Sequence, residues 1–172
     1  MSENHSFKNG NVIFEDYSLN VKTALLNCAK QFLEEAGEEI LSITIRNTKR
    51  KTGQTAGSWK KVVDEGGMCV HIGSDYWNAI YEEFGTGEFA LKGDGRKGYW
   101  VFVDTGGQHS APKGGKTYTL DEAKKVVAIM KKKGLNAYYT KGKQARRPFF
   151  NAYSASKSKI IKRAEQIFGG LN

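Results

Sequence analysis

The longest regular pattern of apolar and polar positions runs from Ser18 to about Lys51. Apolar residues recur there at spacings of three and four, which predicts one long amphipathic helix with a single apolar stripe. The stripe consists of Val21, Leu25, Cys28, Phe32, Ala36, Ile40 and Ile43. We expect this helix to pack on a large surface and Gly53 to stop it. Residues 1–17, which precede the helix, predict an extended N-terminal arm.

A β-hairpin is predicted directly after the long helix. Two strand candidates, Ser58–Val63 and Met68–Gly73, flank Asp64-Glu65-Gly66-Gly67. Acidic and glycine residues are typical of a tight turn between antiparallel strands. Cys69 and His71 stand two apart on the second strand, so their side chains share one face.

The second half of the chain predicts two more helices and more strand. The elements are a strand at Tyr99–Val103, a helix that begins at Thr119 with a capping box and ends near Lys133, a short strand at Tyr138–Thr140, and a final helix opened by Pro148. The final helix is expected to direct Phe149, Ala152, Tyr153, Ile160, Ala164, Ile167 and Phe168 toward the core. These patterns predict an α+β fold in which an N-terminal and a C-terminal helix pack on a small antiparallel sheet. One domain is expected over residues 18–168, followed by a C-terminal tail at 169–172.

The charge of the chain leaves two kinds of partner open. The net charge is +9, and basic residues cluster in 46–61 and 113–147, while 62–91 carries six acidic residues and no Lys or Arg. Such polarity suits nucleic-acid phosphates and also charge-complementary docking to other protein subunits. The candidate interface residues are all cationic: Arg96, Lys97, Lys113, Lys116, Lys131, Lys132, Lys141 and Lys143.

Short motifs that resemble enzyme sites occur in the wrong context. Gly93–Gly98 matches a dinucleotide-binding spacing, but a strand follows it where a helix is required. Gly115-Lys116-Thr117 ends like a phosphate-binding loop, yet Ser110 stands where the first glycine belongs. The sequence therefore predicts no catalytic residue, no cofactor and no enzyme activity.

The cysteines and the ends of the chain bear on compartment and metal binding. Cys28 and Cys69 are the two cysteines of the chain, too few for a disulfide framework, and we expect both to be buried. Cys69 and His71 have no matching Cys or His pair elsewhere, so no metal site is predicted. No signal peptide or membrane-spanning segment is predicted, which favours the cytoplasm.

Three short motif segments lie along the chain in a defined order. The first ends the long helix and carries Thr52, Gly53 and Ser58. The second is a tyrosine, glutamate, phenylalanine, Gly-Thr signature at Tyr81, Glu83, Phe84, Gly85, Thr86 and Gly87. The third enters the C-terminal helix at Arg147, Pro148, Phe149 and Phe150. In this order, the three segments resemble the gene-ten-product-like tail-completion family of long-tailed phages. Against this family, residues 92–146 look like a loop-and-helix insertion, and Lys51 replaces a frequent proline.

The resemblance implies a structural virion protein of the phage neck. It would form a ring, commonly a hexamer, at the top of the tail and join the tail to the head. Its partners would be copies of itself, head-completion or connector proteins, the tail tube or tail terminator protein, and passing DNA without sequence specificity, with no membrane involved. It would be found in the virion, and in the host cytoplasm during assembly. A tail terminator, a head-closure protein and a basic nucleic-acid-binding protein are the alternatives.

Overall fold

The computed structural model describes residues 6–10, 12–50, 52–104, 109–110 and 115–169. Its class is α+β, which confirms the predicted class, including the long N-terminal helix, the C-terminal helix and the small antiparallel sheets. The chain divides into two compact units, the first from residues 1–47, 59–74 and 149–172, the second from 48–58 and 75–148.

Helices and strands alternate irregularly along the chain. In order they are β1 (Ser6–Asn9), β2 (Val12–Glu15), α1 (Ser18–Asn47), α2 (Gln54–Gly57), β3 (Trp59–Asp64), β4 (Cys69–Ser74), α3 (Trp77–Phe84), a 3-10 turn (Gly87–Phe89), β5 (Trp100–Asp104), β6 (His109–Ser110), α4 (Leu120–Lys132), β7 (Ala137–Thr140) and α5 (Pro148–Gly169).

The core of the first unit lies between α1 and the antiparallel hairpin β3–β4. Ala36, Ile40 and Thr44 of α1 are buried. At Gly37 a Cβ atom would stand only 2.8 Å from a methyl group of Val70 in β4, so glycine allows the helix to approach the strand this closely. The predicted apolar stripe of α1 therefore forms core in the C-terminal half of the helix.

Ion pairs and ring contacts join α5 to α1 within the same unit. The Arg163 guanidinium donates to Glu35, with Nη2 2.9 Å from Oε1. Hydrogen bonds from Arg163, and a further one from Gln31, lower the pKa of Glu35 to about 2. The rings of Phe32 and Phe168 meet edge to face at 6.0 Å. These contacts hold α5 beside α1, and α1 itself packs on the hairpin.

Several expectations for this unit were wrong. The stripe residues Val21 and Leu25 are exposed, because the buried positions of α1 begin only at Ala36. On α5, Tyr153 and Phe168 are exposed rather than core residues. The predicted extended arm contains an antiparallel hairpin, in which β1 pairs with β2.

The expected burial of the two cysteines and the hairpin boundaries also need correction. Cys28 and Cys69 are half-buried and both are free thiols. The predicted hairpin is confirmed, but each of its strands begins and ends one residue later than expected. The left-handed residue of its turn is Met68, with a φ of 47°, rather than a glycine.

The second unit contains a three-stranded antiparallel sheet in the order β6-β5-β7, with α4 packed on β5 and β7. Ala123 and Val127 supply the buried face of α4. The predicted capping box is confirmed, since the Thr119 hydroxyl accepts the N–H of Glu122 and the Glu122 carboxylate accepts the N–H of Thr119. Gly134, with a φ of 79°, follows the end of α4 as predicted.

Candidate assembly interface

The second motif segment ends α3 in a turn that requires glycine. Gly85 and Gly87 have φ values of 72° and 60°, in the left-handed region that favours glycine. Between them, the Thr86 amide donates to the Lys143 carbonyl at 2.9 Å, and the Lys143 amide donates to the Thr86 hydroxyl at 3.0 Å. A Cβ atom at Gly87 would stand 2.3 Å from the Lys141 carbonyl oxygen, so no side chain fits there. The turn is held by residues more than fifty positions later in the chain.

Glu82 is the buried anchor of this contact. The residue is 3% exposed, and its Oε1 lies 2.5 Å from the Lys143 ammonium. Its Oε2 lies 3.8 Å from Nε of Arg146 and accepts no hydrogen bond from the described residues. The main-chain carbonyl of Glu82 accepts the amides of Arg146 and Arg147 at 2.8 and 3.1 Å. One residue of α3 thus fixes the whole 143–147 segment by both charge and backbone.

The first motif segment lies against the start of α3 in the same unit. Gly53, with a φ of 82°, opens α2, whereas α1 already ends at Asn47, so Gly53 does not stop the long helix as predicted. The Asn78 amide donates to the Thr55 hydroxyl at 3.0 Å. The Ser58 hydroxyl donates to the Thr55 carbonyl at 2.8 Å. Thr52 contributes at the other end of the segment, where its hydroxyl accepts the amide of Gln54 at 3.5 Å.

The third motif segment begins α5. Arg147 has a φ of 55° and precedes Pro148, which is buried and begins the helix as predicted. In the first unit, the Phe149 ring stacks on Trp59 with centroids 6.4 Å apart. Phe150 is exposed, so only the first of the two phenylalanines anchors the helix in this way.

An ordinary surface helix buries its apolar side and exposes its charged side. In α3 this is reversed, because Glu82 and Glu83 are both buried. Its outer face carries four large apolar residues at spacings of three and four. Their exposed fractions are 56% for Trp77, 57% for Ile80, 42% for Tyr81 and 44% for Phe84. We call these four residues the α3 face.

The α3 face is one continuous apolar surface. The rings of Trp77 and Tyr81 meet edge to face at 5.6 Å, and the Tyr76 ring lies 5.6 Å from that of Trp77. The Lys92 ammonium stands 5.8 Å from the Phe84 ring centre. Contiguous exposed aromatic surface of this kind marks protein–protein contact sites. Sequence reasoning missed it, because the same helical spacing is normally a signal for core.

Internal contacts occupy three of the candidate interface cations. The Arg96 guanidinium donates to the carbonyls of Gly115 and Lys116 and stacks 5.2 Å from the Trp100 ring centre. Lys143 pairs with Glu82, as described above. Lys141 lies 3.4 Å from a Glu88 carboxylate oxygen, and its ammonium stands over the Phe89 ring. These three residues therefore stabilise contacts within the second unit.

Four of the five remaining candidate cations are more exposed than these three. Lys116 stands over the Tyr118 ring and Lys131 over the Tyr138 ring, each at 5.5 Å. Lys97 and Lys132 are exposed. Lys113 lies outside the described residues.

Comparisons with protein-family models, with curated proteins and with solved structures found no match. Among the described residues, no helix combines the length and the apolar character needed to cross a membrane.

Proposed function

We propose that this protein is a structural virion component of the phage neck, which forms a ring at the top of the tail and joins it to the head connector. The order of the three motif segments motivates the assignment. The first segment lies beside α3 and the second forms its C-terminal end. The main chain of Arg147, from the third segment, is hydrogen-bonded to α3. The α+β fold is compatible with the role. The observation that carries the proposal is the α3 face.

A helix that buries carboxylates and exposes aromatic residues favours association with another protein surface. Complete burial of a large apolar side chain contributes about 1.5–3 kcal/mol. The α3 face residues are roughly half exposed, so covering all four would contribute about 4 kcal/mol in total. That energy alone corresponds to a dissociation constant of about 1 mM. The face therefore suits one part of a larger interface, as in a ring where each subunit touches two neighbours.

The motif residues favour a structural role over a catalytic one. The buried carboxylate of Glu82 is already paired with Lys143, and the glycines of the turn are required by backbone geometry. Such residues maintain the shape that presents the α3 face. The role proposed here places function in surfaces and requires no reacting group.

Electron microscopy of particles made without this gene tests the assignment. Full heads and finished tails that remain separate are the expected result. Tails of irregular length would point instead to a tail terminator, and heads that lose DNA to a head-closure protein. Normal infectious particles would refute a role in the neck, and duplex binding with a steep salt dependence would then favour the nucleic-acid-binding alternative.

A matched pair of substitutions tests the α3 face itself. Ile80→Asp places a charge in the face, whereas Ile129→Asp places the same charge on α4 at a residue of nearly equal exposure, 56%. We expect the first variant to lose oligomer mass in light scattering and to fail to complement the deletion, and the second to behave as wild type. Because both sites are exposed, both variants should melt within about 0.5 kcal/mol of wild type. An Ile80→Asp protein that still assembles would exclude the face as an interface.

A further inference from the structure

The turn end of the β3–β4 hairpin brings together three side chains with metal-ligating atoms. An oxygen of Asp64, the sulfur of Cys69 and a ring nitrogen of His71 all lie within 4.8 Å of one another. The Cys69 sulfur is 3.3 Å from Nε2 of His71. All three residues belong to the first unit.

Strand pairing explains the cluster. Cys69 and His71 are two apart on β4 and therefore share a face. Asp64 is the last residue of β3 and lies directly opposite Cys69 in the register. Spacing alone predicted no metal site, because a second Cys or His pair is missing. The third ligand atom is instead a carboxylate oxygen that comes from across the hairpin.

The turn fixes the carboxylate and leaves room beside it. Oδ1 of Asp64 accepts the amides of Gly66 and Gly67, each at 3.0 Å. A Cβ atom at Gly67 would stand 2.6 Å from Oδ2 of Asp64 and 3.4 Å from the Cys69 sulfur. Glycine at this position keeps the space next to both atoms free of a side chain. Oδ1 of the carboxylate is thus held by the turn, and Oδ2 borders the same space beside Gly67 as the thiol sulfur.

We propose that Asp64, Cys69 and His71 bind one Zn²⁺ ion per chain, with the fourth coordination position open to water or a group from another molecule. Sulfur, imidazole nitrogen and carboxylate oxygen are the ligands that Zn²⁺ takes in proteins. Bond lengths of about 2.0–2.3 Å at tetrahedral angles place neighbouring ligand atoms about 3.5 Å apart. The sulfur–nitrogen distance of 3.3 Å already matches, and the 4.8 Å limit on the distances to the oxygen exceeds the required spacing by only about 1.3 Å. Binding deprotonates the thiol and releases its proton to solvent.

This site is independent of the proposed role in a neck. It lies on the first unit, whereas the α3 face belongs to the second. Its test therefore uses the purified full-length chain and no virion assembly.

Titration with Co²⁺ as a spectroscopic substitute for Zn²⁺ tests the site. The chain is purified without a histidine tag, because added imidazoles would compete for the metal. We expect a thiolate-to-cobalt charge-transfer band that saturates at one ion per chain and disappears when Zn²⁺ is added. Cys69→Ser should abolish the band. Cys28→Ser, which removes the other cysteine, should leave it unchanged.

Two further variants separate metal ligation from folding. Asp64→Asn keeps an oxygen that can accept the turn amides but removes the carboxylate charge, and it should weaken Zn²⁺ binding at least about 10-fold. His71→Asn should do the same, and metal-free melting curves of both variants should match wild type. A band that persists in Cys69→Ser, one that is lost in Cys28→Ser, or unchanged Zn²⁺ affinity in Asp64→Asn would overturn the proposal.

Discussion

Replacing Glu82 tests whether a buried ion pair holds the 143–147 segment to α3. Glu82→Ala removes the carboxylate and leaves the Lys143 ammonium without its partner 2.5 Å away. Glu82→Gln keeps the volume and one acceptor but removes the charge. In the glutamine variant an amide group would also replace Oε2, the atom that faces Arg146 at 3.8 Å.

The size of each effect follows from the burial of the two partners. Removal of one partner from a buried pair costs about 3–5 kcal/mol. The Lys143 side chain is 39% exposed, so water can partly solvate the orphaned ammonium, and the lower end applies, about 3 kcal/mol for alanine. For glutamine we expect about 1.5 kcal/mol, because one hydrogen bond remains. In a chain of this length each kcal/mol lowers the melting midpoint by about 2–4 °C.

Thermal and urea unfolding followed by circular dichroism measure these values. Glu88→Gln is the control, because Glu88 pairs with Lys141 at 3.4 Å but both side chains are at least one-third exposed, so this change should cost at most about 1 kcal/mol. The reasoning would be refuted if Glu82→Ala destabilised the protein no more than Glu88→Gln does.

Three further predictions concern glycine geometry, acid stability and helix capping. In a urea titration, Gly87→Ala should destabilise the protein by more than about 2 kcal/mol, since its methyl group would stand 2.3 Å from a carbonyl oxygen. Gly53 is also at positive φ but has open space around it, so Gly53→Ala should cost only about 1–2 kcal/mol. The pKa of Glu35 is lowered from 4.5 to about 2, so its pairing with Arg163 stabilises the fold above pH 4.5 and is lost as the pH falls toward 2. Glu35→Gln should therefore flatten the plot of melting temperature against pH in this range. An unchanged slope would count against the pair. Thr119→Ala should cost about 1 kcal/mol and speed amide exchange in the first turn of α4, whereas equal exchange rates would show that the cap contributes little.

Local signals in the sequence predicted most of the secondary structure. The capping box at Thr119, the proline that begins α5 and the acidic, glycine-rich hairpin turn each act within a few residues, so their outcome depends little on the rest of the chain. The paired strands β3 and β4 could be recognised for the same reason, whereas the pairing of β1 with β2 was missed. Boundaries shifted by a residue or more where only tertiary contacts set them, as at the end of α1.

The sequence pattern did not predict which side of α3 is buried. The spacing of Trp77, Ile80, Tyr81 and Phe84 is that of a core-facing stripe, yet the structure turns these residues outward. The reason is Glu82, whose partner Lys143 is 61 positions away in the sequence and carries no local signal. The cluster of Asp64, Cys69 and His71 could not be predicted in full either, because it depends on the exact pairing of two strands.

The contact between Thr86 and Lys143 has a consequence for how this chain tolerates changes in length. Hydrogen bonds join these two residues although they are 57 positions apart in sequence, so the segment between them begins and ends at the same place. The entropy of closing a loop grows only with the logarithm of its length, by about 0.6 kcal/mol per doubling. Segments of very different size could therefore be exchanged at this point without moving α3. Differences in length and sequence among relatives would then accumulate in the segment between Thr86 and Lys143, while the contact between these two residues stays constant.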